Sequence, residues 1–239
     1  MIVITLSRQL GSGGDWIATR VAEILNLELI DHTRLRRIAV AAGVSEMAWE
    51  EIELVGRGDF VAQITKALRS VPATPLSERE INPFLALPPS PLDGIFVPPL
   101  PPASIAMAES VRILEQVIRH LAEVGNALII GAGSQAILQG HPGVLHVSII
   151  APFEHRVKVV QEREGLTTAQ ARRKVRESDN NRAEYLRRYY RVRWNNPMLY
   201  HLTLNTGQIS LDAAVSAIVA AARQMEETDE APTASDSGP

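Results

Sequence analysis

The stretch that decides the fold of this chain is IVITLSRQLGSGGD, residues 2–15. Its apolar start, residues 2–6, predicts a strand covered on both faces, and a helix is predicted to begin near Trp16. A strand, a glycine-rich turn and a helix N-terminus in this order form a phosphate cradle, because free backbone N–H groups and the positive end of the helix dipole point at one place. The turn departs from the P-loop consensus, since no Lys-Ser or Lys-Thr follows its glycines.

The turn offers two kinds of anion ligand. Glycines let an anion approach the backbone closely, so we predict that phosphate is held by the loop residues Gly11, Ser12, Gly13 and Gly14. Arg8 follows the strand at its carboxyl end, where open α/β sheets bind ligands, and could supply the charge that a P-loop takes from lysine. The alternative is a plain turn beside a solvated arginine, and the strand-then-helix context favours phosphate binding over it.

Composition bounds the class of protein. The chain has 239 residues, 46% of them apolar and 21% charged, which is typical of a globular protein with one large α/β domain. A net charge of −3 gives no overall attraction to nucleic acid or membrane. The chain has no cysteine, so disulfides and thiolate chemistry are excluded. A cytoplasmic location is expected, because the start of the sequence lacks the pattern of a signal peptide.

Apolar runs and helical patterns alternate along the chain. Five apolar runs predict strands, at residues 2–6, 28–30, 127–131, 144–150 and 200–204. Helical patterns follow or separate them, at residues 16–25, 104–124, 153–164 and 210–225. This alternation predicts an α/β fold with a parallel, doubly wound sheet, in one domain over residues 1–225.

Two segments break the alternation. Residues 70–103 hold ten of the fifteen prolines, so they cannot form a central strand or helix. We interpret them as an insertion that is either disordered or PPII-like. Residues 226–239 are acidic and then rich in Ser, Thr, Pro and Gly, and they are predicted to form a disordered tail.

Half of the 24 Lys and Arg residues lie within an arginine-rich region at residues 153–195. Arginine binds phosphate bidentately, and a mobile arginine-rich helical pair that closes over phosphates is typical of phosphoryl-transfer enzymes. The candidates are Arg172, Arg173, Arg176 and Arg182, with Asp179 expected to orient one of them. One alternative is a solvated helix with i,i+4 ion pairs. Another is a basic patch for RNA or DNA, which the acidic remainder of the chain makes less favoured.

Two further strand ends carry candidate residues. Gly131, in a second glycine turn, either lets a ligand approach or packs next to the first loop, and both interpretations are equally favoured. Asp31 could hold a substrate hydroxyl or a Mg²⁺-bound water, and it could also cap the next helix, which is slightly favoured. The six histidines show no paired spacing of metal ligands, so a metal hydrolase is not supported.

These motifs together resemble the cytidylate-kinase-like family, a branch of the P-loop nucleoside monophosphate kinases. The resemblance covers most of residues 1–225 outside the proline-rich insertion, and the opening motif is its most specific part. It rests on residues 4–14, 21–25, 28–31, 128–131, 179–182 and 200–206, with Tyr185 and Tyr189.

The resemblance implies a three-layer P-loop kinase fold, with a five-stranded sheet of order 2-3-1-4-5 and a helical lid. It implies transfer of the γ-phosphoryl group of ATP, with Mg²⁺, to CMP or dCMP. Gly14 takes the position of the P-loop lysine and Asp15 that of the Mg²⁺-binding Ser or Thr. Relatives with the same Ser-Arg opening also lack the lysine. Ala132 stands where such kinases carry an arginine for the acceptor phosphate.

Two functions of different class follow. The first is an ATP-dependent nucleoside monophosphate kinase, for which the catalytic candidates are Arg8, Arg176, Asp179 and Arg182. Its cofactor-binding candidates are residues 11–15 with Arg172 and Arg173, and its substrate-binding candidates are Asp31, Arg34 and Gly131. The second is a catalytically impaired nucleotide-binding regulatory or scaffold protein of the same fold. In either, the proline-rich segment could dock a protein partner, whereas membrane is not expected as a partner and nucleic acid is disfavoured.

Overall fold

Five parallel strands form the centre of the molecule. The computed structural model describes residues 1–44 and 103–230. The strands are β1 Val3–Arg8, β2 Glu28–Ile30, β3 Ala127–Ile130, β4 Val144–Ile150 and β5 Leu202–Asn205. Their order in the sheet is β2-β3-β1-β4-β5, and every neighbouring pair is parallel. The predicted strand order 2-3-1-4-5 is therefore confirmed.

Helices connect the strands and cover the sheet. They are α1 Gly14–Leu25, α2 His32–Ala41, α3 Ala103–Val124, α4 Ser134–Ile137, α5 Phe153–Glu164, α6 Thr168–Tyr185 and α7 Leu211–Glu230. A π-helical turn, Leu186–Tyr190, continues α6, and a 3₁₀ turn, Pro197–Leu199, precedes β5. Local sequence sets several of these bounds: Asn26 ends α1 in a left-handed conformation, and a Thr167–Gln170 capping box starts α6.

Side chains of the sheet alternate between two apolar layers. Buried residues of α1 and α7 pack against Ile4 and Leu6 of β1 and against Ile2 just before it. Val3 packs with buried residues of α2 and α3 on the opposite face. Burial on both faces explains why the strands read as continuous apolar runs. The result is the predicted three-layer α/β fold.

A third, smaller core lies inside the α5–α6 hairpin. Val157 and Val160 of α5 pack against Ala171 and Val175 of α6, and Leu10 of the glycine-rich loop packs against this cluster. The hairpin belongs to the predicted arginine-rich lid region, and its apolar contact with Leu10 places it beside the loop.

Some element bounds differ from those predicted. Strand β5 begins at Leu202 rather than at residue 200, because residues 197–199 form the 3₁₀ turn. Helix α7 continues past Met225 to Glu230. Of the predicted proline-rich segment only Ala103 is described, as the first residue of α3; residues 70–102, and residues 231–239 of the predicted tail, lie outside the described ranges. No helix in residues 1–44 or 103–230 is both long and apolar enough to cross a membrane.

A buried histidine lies under the α2–α3 layer. His146 of β4 is 3% exposed, and its Nδ1 is 2.7 Å from the hydroxyl oxygen of Thr5, its neighbour on β1. The His201 ring lies 5.0 Å away. Burial first, and then the charges of His201 and His141, lower the pKa of His146 to about 4, against a backbone hydrogen bond at Leu138 that raises it.

We therefore expect acid to destabilise the fold through His146. The unfolded chain binds this proton near pH 6.5, whereas the folded protein resists it down to about pH 4. The contribution of His146 to the free energy of unfolding is fully present above pH 6.5. It is lost as the pH drops towards 4, and the loss is about 3 kcal/mol. Urea unfolding across this range should show the loss, and His146→Gln should flatten it. An equally steep profile in the variant would contradict the assignment.

Candidate functional site

The loop between β1 and α1 forms a cradle that only glycine can build. Gly11 has a φ of +83°, and a Cβ there would lie 2.6 Å from the carbonyl oxygen of Arg156. A Cβ on Gly13 would lie 2.7 Å from a methyl group of Leu211. Gly13 is also the N-cap of α1 and has no side chain to cap the helix. An uncapped helix N-terminus with close backbone access fits the phosphate groups of a nucleotide.

Hydrogen bonds hold the loop from three sides. The Ser12 amide and hydroxyl both donate to the carbonyl oxygen of Gln9, at 3.1 and 2.7 Å. The Gln9 side-chain oxygen accepts from the amide of Ala151 at 3.0 Å. Thr206, after β5, donates its hydroxyl to the carbonyl oxygen of Ser12 at 2.8 Å. Among the predicted phosphate ligands, Ser12 thus uses both its amide and its hydroxyl for hydrogen bonds inside the turn.

We expect Gly11→Ala to destabilise the protein more than Gly140→Ala. Both glycines have a left-handed φ, +83° and +75°, where alanine is strained by about 1–2 kcal/mol. At Gly140 an added Cβ meets nothing within 4 Å, but at Gly11 it meets backbone atoms of Arg156 at 2.6 and 3.0 Å. Overpacking should add about 1–3 kcal/mol at Gly11 alone. Urea unfolding of both variants measures the difference, and equal losses would contradict the tight fit of the loop.

Arg8 fills the space that a side chain at position 14 would need. A Cβ on Gly14 would lie 2.5 Å from Cβ and 2.9 Å from Cγ of Arg8. The Arg8 guanidinium runs on past the loop: its Nε donates to Asp15 at 2.7 Å, and its Nη1 would lie 3.3 Å from a Cβ on Gly131. A side chain at position 14, where the resemblance places the P-loop lysine, therefore cannot be present together with the Arg8 side chain.

A cleft of about 430 Å³ opens at the carboxyl ends of β1 and β3. Its polar lining residues are Ser7, Arg8, His32, Gln135, Lys174, Glu177, Ser178, Asn181, Arg182, Tyr185 and Trp194. The turn at residues 131–133 forms one wall, held by the Tyr185 hydroxyl, which donates to the carbonyl oxygen of Ala132 at 3.3 Å. Gln135 is buried, and its side-chain oxygen has no hydrogen-bond partner among the described residues.

Arg182, a cation with a buried guanidinium nitrogen, lines this cleft. Its guanidinium lies 5.7 Å from the Trp194 ring, and Trp194 in turn donates its indole N–H to Ser7 at 2.9 Å. The buried Nη1 of Arg182 has no partner within the part of the chain that the structure describes. Burial, and then the charge of Arg8, lower the pKa of Arg182 to about 10. The group stays charged at neutral pH. Arg8, Arg182 and Lys174 thus bring three cations to the cleft against one carboxylate, Glu177, an arrangement that suits an anionic ligand.

The other predicted arginines lie elsewhere on the hairpin. The guanidinium groups of Arg172 and Arg176 lie 5.4 and 5.7 Å from the Phe153 ring, and Arg172 also pairs with Glu154 at 2.6 Å. Arg173 is exposed and lies 3.7 Å from Glu177. Arg172 and Arg176 therefore lie near the α5 N-terminus, and none of the three arginines lines the cleft.

Asp179 pairs with none of the four arginines that were predicted as its partners. Its carboxylate accepts two hydrogen bonds from Arg156, at 3.0 and 2.8 Å. Sequence reasoning missed Arg156 because nothing local distinguishes it from the other arginines of this region. Its burial depends on packing between α5, α6 and the loop.

The predicted residues of α2 have structural partners. Asp31 caps α2 by accepting the amide of Arg34 at 2.8 Å, as favoured from sequence. The Arg34 side chain pairs with Glu28 on the exposed side of β2. His32 and Leu35 are the α2 residues that line the cleft.

Comparison with known families shows to which family the chain belongs. The profile of the cytidylate kinase-like family matches residues 3–208, which include the cradle, the cleft and the hairpin. The chain belongs to the cytidylate kinase-like family. The predicted resemblance is thus confirmed, and membership indicates a kinase-type enzyme that acts on nucleotides or small molecules. No match was found among curated proteins.

Solved structures that are similar to this cytidylate kinase-like protein have low sequence identity to it. An uncharacterized protein from Eubacterium ventriosum is 18% identical, with a TM-score of 0.61 over 93% of this chain and 98% of that one. At this identity the likeness shows the fold alone. Shikimate kinase from Acinetobacter baumannii in complex with shikimate is 13% identical (TM-score 0.42; 96% and 95% coverage). A Thermus thermophilus protein is 18% identical (TM-score 0.42; 92% and 97% coverage).

Proposed function

We propose that this protein transfers the γ-phosphoryl group of ATP to a nucleoside monophosphate, CMP or dCMP. The observation that carries the proposal is that Arg8 and Arg182 line one cleft beside an uncapped, glycine-lined helix N-terminus. Family membership supports kinase chemistry. Most of the catalytic effect in phosphoryl transfer comes from positioning and charge stabilisation, for which such a site is suited.

On the donor side, the open amides of the glycine loop receive the ATP phosphates. Arg8 supplies the cation that the loop lacks at Gly14, and Arg172, Arg173 and Arg176 add positive charge from the hairpin. The residues described contain no cluster of three or more His, Asp or Glu suited to a metal ion. Mg²⁺ typically binds kinases through phosphate oxygens and one or two carboxylates, and Asp15 is the carboxylate of the loop. Bound Mg²⁺ would neutralise charge on the phosphates.

On the acceptor side, Arg182 supplies the positive charge that Ala132 does not. The acceptor is an anion held near Gly131, with the unpaired Gln135 oxygen available to one of its donor groups. Asp31 and Arg34 lie outside the cleft, and their role in acceptor binding stays a prediction from sequence. In the reaction, an oxygen of the acceptor phosphate forms a bond to the γ-phosphorus, the bond to the β-phosphate oxygen breaks, and ADP leaves. Arg8 and Arg182 stabilise the charge on the transferred group.

The full chain with Mg²⁺-ATP and a panel of nucleoside monophosphates tests the proposal. Release of ADP should depend on the acceptor and be fastest with CMP or dCMP. Turnover with a different acceptor would correct the substrate and keep the reaction class.

Binding of ATP or CMP by calorimetry, without turnover on any acceptor, would instead support the impaired regulatory or scaffold protein. The missing loop lysine, Ala132 and the proline-rich insertion are the features that favour this second function. A protein partner at the proline-rich segment and a cytoplasmic location remain predictions from sequence.

A further inference from the structure

One buried ion pair joins the α5–α6 hairpin to the glycine loop. Arg156 is 3% exposed, and its Nη1 and Nη2 donate to Asp179 on α6 at 3.0 and 2.8 Å. Its Nε donates to the carbonyl oxygen of Ala151 at 3.0 Å, and Nη1 lies 3.5 Å from that of Leu10. This buried guanidinium hydrogen-bonds to α6, to the end of β4 and to the loop. It resists movement of these three elements relative to one another, because moving any partner leaves a charge or a donor unsatisfied. We call it the fixed point of the hairpin.

The same residue also supports the loop through its main chain. The carbonyl oxygen of Arg156 lies only 2.6 Å from the position that a Cβ on Gly11 would take. Leu10 packs into the small core of the hairpin beside it. Two adjacent loop residues therefore lie against the hairpin, one at the Arg156 backbone and one at the apolar cluster.

Asp179 connects this fixed point to the cleft. It precedes Arg182 by three residues on α6, so the two side chains lie on the same face, about one turn apart. Pairing Asp179 with Arg156 sets the rotation of α6 about its axis and so directs Arg182 into the cleft. Among the described residues nothing hydrogen-bonds the buried Nη1 of Arg182, so the position of its guanidinium depends on α6 and on the Trp194 ring beside it.

We propose that the Arg156–Asp179 pair is a positioning device that holds the glycine loop and Arg182 in fixed relation, so that donor phosphates and the cleft cation meet. Arg156 and Asp179 are positioning residues, and Asp179 acts through Arg156 rather than on a substrate. The catalytic consequence rests on the proposed function, whereas the order of the loop does not.

Asp179→Asn in the full chain tests the device. Misplacement of reacting groups by about 1 Å costs roughly 100-fold, so kcat/KM with Mg²⁺-ATP should fall by about that factor. Amide hydrogen exchange of residues 9–14, in the protein without nucleotide, should become faster. The matched control is Glu162→Gln, which removes the exposed Lys158–Glu162 ion pair of the same hairpin. It should retain wild-type exchange in the loop.

A double variant separates positioning from simple stabilisation. Arg156→Met with Asp179→Leu replaces the ion pair with apolar side chains, which often restores or improves folding stability. Tm should recover relative to Asp179→Asn, while loop exchange stays fast and kcat/KM stays low. Recovery of activity together with Tm would overturn the proposal, as would wild-type loop exchange in Asp179→Asn. If the wild type turns over no acceptor, the proposed function fails, and loop exchange still decides the role of the pair.

Discussion

Replacing Arg8 with alanine is expected to lower kcat/KM for ATP-dependent phosphoryl transfer by about 1,000-fold. A guanidinium that neutralises charge on a transferred phosphoryl group has an effect of this order or larger, and Arg8 takes the place of the loop lysine that this chain lacks. Its Nε already pairs with Asp15, and its Nη1 reaches towards Gly131, so it spans the donor and acceptor sides. Steady-state kinetics with Mg²⁺-ATP and the best acceptor measure the loss.

The control for charge alone is Arg20→Ala. Arg20 is exposed on α1 and pairs with Glu23, and an exposed pair of this kind contributes little to stability. This variant should keep wild-type kinetics. If Arg8→Ala behaves like Arg20→Ala, the phosphate role of Arg8 is wrong.

The steric clash between Arg8 and any side chain at position 14 allows a second test of whether Arg8 substitutes for the P-loop lysine. Gly14→Lys alone should be inactive and destabilised, because its Cβ would lie 2.5 Å from Cβ of Arg8. In Arg8→Gly with Gly14→Lys the clash is removed and a lysine takes the P-loop position. This double variant should be more active than Arg8→Gly alone. Activity no higher than that of the single variant would show that Arg8 does not substitute for the lysine.

Arg182→Ala is expected to lower kcat by about 100- to 1,000-fold without loss of stability. Its guanidinium lies in the cleft with its buried Nη1 unpartnered, close to the like charge of Arg8. Removing a cation that burial and Arg8 both disfavour should leave Tm unchanged or raise it, as at other sites where function opposes stability. Kinetics and thermal unfolding of one preparation measure both quantities.

Arg187→Ala is the matched control for Arg182. Arg187 follows on the same helical segment, is exposed and pairs with Glu184. Its replacement should leave kcat close to that of the wild type. A large fall in Tm with a small fall in kcat for Arg182→Ala would assign Arg182 a structural role instead.

Sequence alone predicts the elements of the sheet well because burial on both faces leaves a strong local signal. The run Val144–Ile150 is apolar nearly throughout, and strand and prediction coincide. The cap at Asp31 was also favoured from its neighbours, since a cap depends on residues within one turn. The end of α7 was less predictable, because an acidic, polar stretch reads the same in a helix and in a tail.

Part of the candidate site was also predictable from local sequence, and part was not. Arg8 and the loop glycines are recognisable because a strand end, a turn and a helix start are contiguous. The sequence shows an arginine-rich region, but it does not say which arginine is buried under the loop, which faces the cleft and which surround Phe153. That selection depends on how α5 and α6 rotate when they pack, which no local pattern encodes.

The resemblance to the family implied the strand order. The amino-acid sequence by itself determined the alternation of buried strands and amphipathic helices and the position of the glycine cradle. These follow from hydrophobic periodicity and turn chemistry, which act over a few residues. Only the tertiary structure decided that Arg8 occupies the space above Gly14, that Asp179 pairs with Arg156, and that Arg182 meets Arg8 beside Trp194. Each is a contact between distant segments, set by packing and by the cost of burying an unpaired charge.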